Sequence, residues 1–150
     1  MRACKLDDIL SLDDFEIHAK KRLPKSIFHY IASGAERNRS IQANREEFNR
    51  HAWCPRVLVD TVEKNMGTTL FGEKWATPFG IAPLGLSALW QFDGDLALAE
   101  GALAGNIPMI LSGSSLISME EVYSKNDRIW FQAYFSSDTS SIQALLERIA

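Results

Sequence analysis

Apolar and polar positions follow one spacing over the first third of the chain and another over the second half. Phe15, Ile17 and Leu23 follow Ser11 and Asp14, a hydroxyl and a carboxylate suited to a helix start. Pro24 fits the first turn of a second helix, in which Ile27, Phe28, Tyr30 and Ile31 make an i, i+3, i+4 stripe and Gly34 supplies the stop. Ser40 opens a third predicted helix, residues 41–48. Extended segments come next: residues 53–60, where Pro55 argues for an edge or irregular path, and a hairpin around Gly72-Glu73 joining residues 68–71 to 74–75.

From Pro78 onward, short apolar runs alternate with helical patterns. Phe79-Gly80-Ile81-Ala82 leads through the turn Pro83-Leu84-Gly85 to a helix over residues 94–104 carrying Leu96, Leu98, Ala99 and Leu103. Pro108-Met109-Ile110-Leu111 is followed by Ser112-Gly113-Ser114-Ser115, and Ser118-Met119-Glu120-Glu121 reads as a capping box opening the next helix. A third strand is predicted over 129–135, and residues 139–150 form a helix with Ile142, Leu145, Leu146 and Ile149 on one face.

The stretches between successive strand starts are long enough for helical crossovers, so the strands are expected to be parallel. The fold class is therefore α/β, a βαβαβα run over residues 78–150 preceded by a helical extension and hairpin over 1–77. Such a run belongs either to a doubly wound sheet or to an eight-unit barrel, and periodicity does not separate them. A dinucleotide-binding turn would show G-x-G-x-x-G, whereas Ala82-Pro83-Leu84-Gly85-Leu86-Ser87-Ala88 has one glycine and a proline, which weakens a nicotinamide reading. As a barrel, three units of about eight would leave strand edges and an apolar surface uncovered, so a fragment of a longer protein is expected.

Composition narrows the partners. The 150 residues are 46% hydrophobic and 23% charged, with a formal net charge of −3, ordinary globular values without the basic footprint of a nucleic-acid-binding protein. Cys4 and Cys54 are far apart in sequence and form no disulfide framework, and Lys5, Asp7 and Asp8 interrupt any apolar leader, so no signal peptide is expected and a cytoplasmic location is. His18, His29 and His51 fall on or just after the N-terminal helices with no HExxH or cysteine partner, so no metal site is expected.

In α/β folds of either kind, sites lie at the carboxyl ends of the strands. Three segments occupy that position. Pro83, Leu84 and Gly85 offer backbone groups with close approach at Gly85; Ser112 offers a hydroxyl; Gln132 and Tyr134, two apart in the third predicted strand, would point to one face. An amide and a phenol buried without partners would cost about 1–3 kcal/mol each, which a ligand would offset.

The ordered set Leu23-Pro24-Lys25-Ser26-Ile27-Phe28-His29-Tyr30, Ser33-Gly34-Ala35-Glu36, Asn44-Arg45-Glu46-Glu47-Phe48, Pro55-Arg56-Val57-Leu58-Val59-Asp60, Ile81-Ala82-Pro83, Leu111-Ser112 and Phe131-Gln132-Ala133-Tyr134 resembles the N-terminal part of the FMN-dependent 2-hydroxy-acid dehydrogenases and oxidases. That family includes glycolate oxidase, the flavin L-lactate dehydrogenases and mandelate dehydrogenase. The resemblance implies the N-terminal part of a TIM (β/α)8 barrel and an FMN cofactor. It places Pro83, Leu84 and Gly85 against the reactive edge of the flavin, Ser112 and Gln132 on its polar edge, and Tyr30 and Tyr134 on the substrate. It also implies oxidation of a lactate-, mandelate- or glycolate-type L-2-hydroxy acid to the 2-oxo acid, with dioxygen, a quinone or a cytochrome as electron acceptor. A homo-oligomer, and in some members peripheral attachment to the inner membrane, follow from the same resemblance.

No catalytic base is expected within the chain, since the family's histidine base comes from later strands, beyond Ala150. Pro83-Leu84-Gly85 departs from the family's Pro-Thr-Ala or Pro-Thr-Gly, and Gly113-Ser114 replaces the serine and bulky aromatic of glycolate oxidases. The competing expectation is a catalytically inactive barrel remnant or partner-binding fragment.

Overall fold

The computed structural model describes residues 9–149; Cys4, Asp7, Asp8 and Ala150 lie outside them. The chain divides into two compact units, the first ending at Asp60 and the second beginning at Thr61.

Three helices build the first unit: α1 (Leu12–Arg22), α2 (Lys25–Ala32) and α3 (Arg39–Asn49). The Asp14 carboxylate accepts from the Leu10 and Ser11 amides at 2.9 and 2.8 Å, satisfying free donors at the start of α1. Those bonds lower its pKa. Lys20, Lys21 and Arg22 in the last turn complement the opposite end of the helix dipole. Phe28 is the residue of the α2 stripe that becomes buried, with the Lys20 ammonium 6.0 Å from its ring centre. Arg45 of α3 donates to Glu16 of α1 at 2.8 Å. The α3 boundary is set by Asn38, in the left-handed region at φ 58°, whose Oδ1 accepts from the Gly34 amide.

The second unit begins with an antiparallel hairpin, β1 (Thr68–Leu70) and β2 (Glu73–Trp75). Its turn is Phe71-Gly72, one residue earlier than predicted, with both residues at positive φ, 51° and 86°. That is the backbone of a two-residue hairpin loop whose twist matches the strands. Next come a 3-10 turn (Ser87–Leu89), α4 (Gly94–Gly105), β3 (Met109–Ser112), α5 (Met119–Lys125), β4 (Ile129–Gln132) and α6 (Thr139–Ile149). β3 and β4 pair in parallel, with Met109 opposite Ile129 and Ser112 opposite Gln132. At the α5 start the Ser118 hydroxyl accepts from the Glu121 amide, the hydroxyl half of the predicted box.

Two strand predictions need correcting. The run 79–82 contributes a single bridge residue, Ile81, parallel to Met109. Ile81 N donates to Pro108 O at 2.8 Å and its carbonyl accepts from Ile110 N at 3.0 Å, while Pro78 and Pro83 beside the run have no amide to extend the ladder. The third strand ends at Gln132 rather than at residue 135, so strand alternation does not reach Tyr134.

Ala99, Ala102, Met109, Leu111 and Val122 form the core of this unit, flanked by Ile81, Leu96, Ile107, Ile129 and Phe131. Ala99 and Ala102 on the buried face of α4 let the helix lie close over β3, while Leu103 is 47% exposed. Asn126 is buried, bridging the Ala99 carbonyl and the Arg128 amide.

Arg128 fastens the hairpin to the parallel strands. Its guanidinium lies 4.0 Å from the centre of the Trp75 ring and donates to Glu73, the Lys74 carbonyl and Asn106 Oδ1. Trp130 meets Phe71 and Trp75 edge-on. The hairpin therefore belongs to the same compact unit as the βα elements.

Candidate functional site

The parallel register brings Ser112 and Gln132 side by side at the carboxyl ends of β3 and β4. Ser112 is buried, and its hydroxyl donates to Gln132 Oε1 at 3.4 Å; the Gly113 amide donates to the same oxygen at 3.3 Å. Gln132 Nε2 donates to the Ala133 carbonyl at 3.2 Å, and Ser112 Oγ accepts from the Ser114 amide at 3.1 Å. The two bonds to Gln132 Oε1 are longer than the usual range and the other two lie at its long end, so a better-placed partner could replace them.

The turn after Ile81 closes onto the same cluster. Leu86 N donates to Ser114 O at 3.0 Å, and a Cβ added at Gly85 would lie 3.2 Å from Ser114 Cβ and 3.6 Å from Ser112 Oγ. Glycine is what lets the two loops approach so closely. Pro83 and Gly85 are half-buried and Leu84 is 45% exposed. The structure thus gathers Gly85 with Ser112 and Gln132, as strand topology predicts for residues at one end of a parallel sheet.

Tyr134 lies past the strand end and is 69% exposed. It stays near the cluster because Gly113 has no side chain: a Cβ there would sit 3.2 Å from Tyr134 Cδ2 and 2.6 Å from the Gln132 carbonyl. Tyr30 is on α2, in the first unit, and is 68% exposed.

Ionisable groups with clear pKa shifts sit elsewhere, on exposed helix positions. Hydrogen bonds from the hydroxyls of Ser140 and Ser141 hold Asp138, before α6, at about 2. A hydrogen bond from Arg148 lowers Glu120. Among the described residues no group of three His, Cys, Asp or Glu could hold a metal, and no helix is long and apolar enough to cross a membrane.

Sequence reasoning missed a buried carboxylate behind the cluster and its half-buried serine partner. Asp95, in the first turn of α4, is 1% exposed and accepts from the Ser115 hydroxyl at 2.5 Å. An acidic residue in the first turn of a helix is a common sequence feature that names no partner; here the partner is twenty residues away and only the fold brings the two together.

What the cluster presents is a neutral hydroxyl and amide, each able to donate and accept, beside a turn stripped of side-chain bulk at Gly85. Such an edge suits the rim of a flat heterocycle that carries both donors and acceptors.

Comparison with known proteins identifies the family. Residues 19–150 match the profile of the FMN-dependent dehydrogenase family. Glycolate oxidase 5 of Oryza sativa subsp. japonica is 37% identical over 144 residues, 95% of this chain and 39% of the oxidase. L-lactate dehydrogenase of Xanthobacter autotrophicus is 36% identical over 141 residues, 93% of this chain and 36% of the dehydrogenase. Among solved structures, a soluble mutant of the membrane-associated (S)-mandelate dehydrogenase from Pseudomonas putida superposes with a TM-score of 0.86 at 31% identity, covering 94% of this chain and 40% of that one. The chain thus spans well under half the length of these relatives, and a partial TIM barrel fits the match. It belongs to the FMN-dependent dehydrogenase family, whose cofactor is FMN.

Proposed function

We propose that the protein containing this chain oxidises an L-2-hydroxy acid of the lactate, mandelate or glycolate type to the 2-oxo acid, using FMN. The observation that carries the reading is the Ser112–Gln132 pair at adjacent strand ends, with the Gly85 turn closed over it. Residues 78–150 are then the first three βα units of the barrel, Ile81 being the remnant of the first strand, with residues 1–77 as the extension ahead of them.

The donor set fits a flavin. Ser112 and Gln132 together offer a hydroxyl, a carbonyl oxygen and an amide N–H to the carbonyls and ring nitrogens of the polar edge, without introducing charge. Backbone groups of Pro83, Leu84 and Gly85 take the reactive edge; the leucine supplies no hydroxyl, so this turn works through its main chain. When bound, FMN supplies the two-electron oxidation of the substrate's α-carbon, chemistry no side chain here can perform.

Tyr30 and Tyr134 bind and orient the substrate, Tyr30 by donating its phenol hydrogen to the carboxylate and Tyr134 by contacting the hydroxyl or carboxylate side. Holding the α-carbon in one orientation converts a bimolecular encounter into a positioned reaction, the main service a protein performs for a redox cofactor. A histidine base from later strands of the full-length protein would take the hydroxyl proton. The electron acceptor is dioxygen, a quinone or a cytochrome, the full-length protein acts as a homo-oligomer, and its site of action is the cytoplasm, either free or attached peripherally to the inner membrane.

The test is product formation. Native protein supplied with the L- and D-forms of lactate and mandelate, and with glycolate, together with an artificial electron acceptor, should yield a 2-oxo acid from glycolate or an L-form and none from the D-forms. Absence of 2-oxo acid from all of them would overturn the reading.

A further inference from the structure

The two loops assigned above to the flavin meet again behind it, at the first residues of α4. Ser87 follows directly on Pro83-Leu84-Gly85-Leu86, is 1% exposed, and packs so tightly on α4 that a Cβ at Gly94 would lie 2.9 Å from its Oγ. The next residue, Asp95, reaches the other loop through its 2.5 Å bond from Ser115. The Ser115 hydroxyl also accepts from the Ile117 amide at 3.0 Å, and the Ser115 amide donates to the Ser112 carbonyl at 3.0 Å. One hydroxyl therefore ties the loop 112–117 both to itself and to the helix. The loops then touch each other through Leu86 N and Ser114 O.

A carboxylate is costly to bury unless it is hydrogen-bonded, and the first turn of a helix is among the few settings that offset part of that cost. Packing alone would be served better by an apolar residue at this depth. The polar choice at position 95 acquires a purpose from its partner, since Ser115 lies between Ser114, which touches the Gly85 turn, and Ile117, which flanks the core.

We propose that Asp95 is a positioning residue: acting through Ser115, it holds the loop 112–117 against the loop 83–86 and so sets the spacing between Gly85 and Ser112. The inference rests on the flavin reading above, but neither Asp95 nor Ser115 is among the residues assigned to flavin or substrate. Its consequence is that removing the Ser115 hydroxyl loosens both loops together and weakens flavin binding, whereas β4, one strand further on, keeps its protection.

The experiment uses the native protein and its Ser115→Ala, Ser115→Thr and Asp95→Asn variants, stripped of flavin and then titrated with FMN. Loss of a hydrogen bond to a carboxylate that shapes the site should raise the FMN Kd about tenfold in Ser115→Ala. Amide hydrogen exchange without flavin should quicken over residues 83–88 and 112–117 and stay unchanged over 129–132. Ser115→Thr, which keeps the hydroxyl, should return both readings toward native values. Asp95→Asn keeps an acceptor oxygen and should fall between native and Ser115→Ala. Native-like Kd and exchange in Ser115→Ala would overturn the proposal, as would loosening equal at all three segments, the mark of a merely structural bond. A native protein that fails to bind FMN would instead overturn the flavin reading itself.

Discussion

Ser112 and Gln132 are register partners in a parallel sheet, joined by a side-chain hydrogen bond at the end where both strands stop. Neither residue is unusual alone. Their adjacency depends on the parallel register, because an antiparallel pairing would put the two strand ends at opposite edges of the sheet. Polar side chains aligned across two strand ends and bonded to each other at 3.4 Å are what the proposed flavin contact draws on.

Gln132→Ala should therefore weaken FMN retention. The loss of one neutral hydrogen-bonding group, about 0.5–1.5 kcal/mol, corresponds to a rise in Kd of roughly two- to twelvefold. Ultrafiltration of the flavin-loaded variant would measure it; an unchanged Kd would remove Gln132 from the site.

Tyr30→Phe should raise KM for the hydroxy acid far more than it changes kcat, since a phenol bound to a carboxylate in both ground and transition states contributes uniform binding of about 1.5–3 kcal/mol. Steady-state kinetics on the native protein separates the two constants. An unaltered KM would place Tyr30 outside the substrate site.

Arg128 ties the hairpin to the parallel strands in the second unit. Arg128→Ala removes its cation–π contact with Trp75 and its bonds to Glu73, Lys74 and Asn106, and should destabilise that unit by about 1–3 kcal/mol, given that a third of the side chain is exposed. Urea unfolding followed by tryptophan fluorescence reads this, because Trp75 lies beside the guanidinium and Trp130 meets Trp75 edge-on. Arg128→Lys should recover only part of the loss, an ammonium being unable to form the same fork of bonds.

Asp138 gives a pH signature. Its carboxylate accepts from the Ser140 and Ser141 hydroxyls and the Ser141 amide, which lowers its pKa from 3.8 to about 2. A depressed carboxylate pKa means the contribution to the α6 start is fully present above the ordinary value and is lost as pH falls through about 2. An NMR titration should find that low midpoint, with the α6 amides shifting alongside it. A midpoint at the ordinary aspartate value would mean these bonds do not form in solution.

How much of this was legible beforehand follows from how far apart the interacting residues are. Helix starts at Ser11 and Ser118 and the parallel pairing of the strands that begin near residues 108 and 129 are local or periodic signals, and the structure reproduces them, although the second of these strands stops at Gln132 instead of residue 135. The strand at 79–82 shrank to Ile81 because apolar character marked it while its flanking prolines removed the ladder's donors. Tyr134 was extrapolated along a strand that ends two residues earlier. The Asp95–Ser115 bond and the Arg128–Trp75 stack, separated by 20 and 53 residues, leave no trace in spacing or composition, because each exists only once the fold has formed.

The most direct test of the account is to purify the native protein, release and identify any bound flavin, and mix the flavin-loaded form anaerobically with L-lactate, L-mandelate or glycolate while following its visible absorbance. Stoichiometric FMN and bleaching by at least one of these acids are expected, with the D-enantiomers inert. A protein that holds no FMN, or a flavin that stays oxidised with all three, would contradict it.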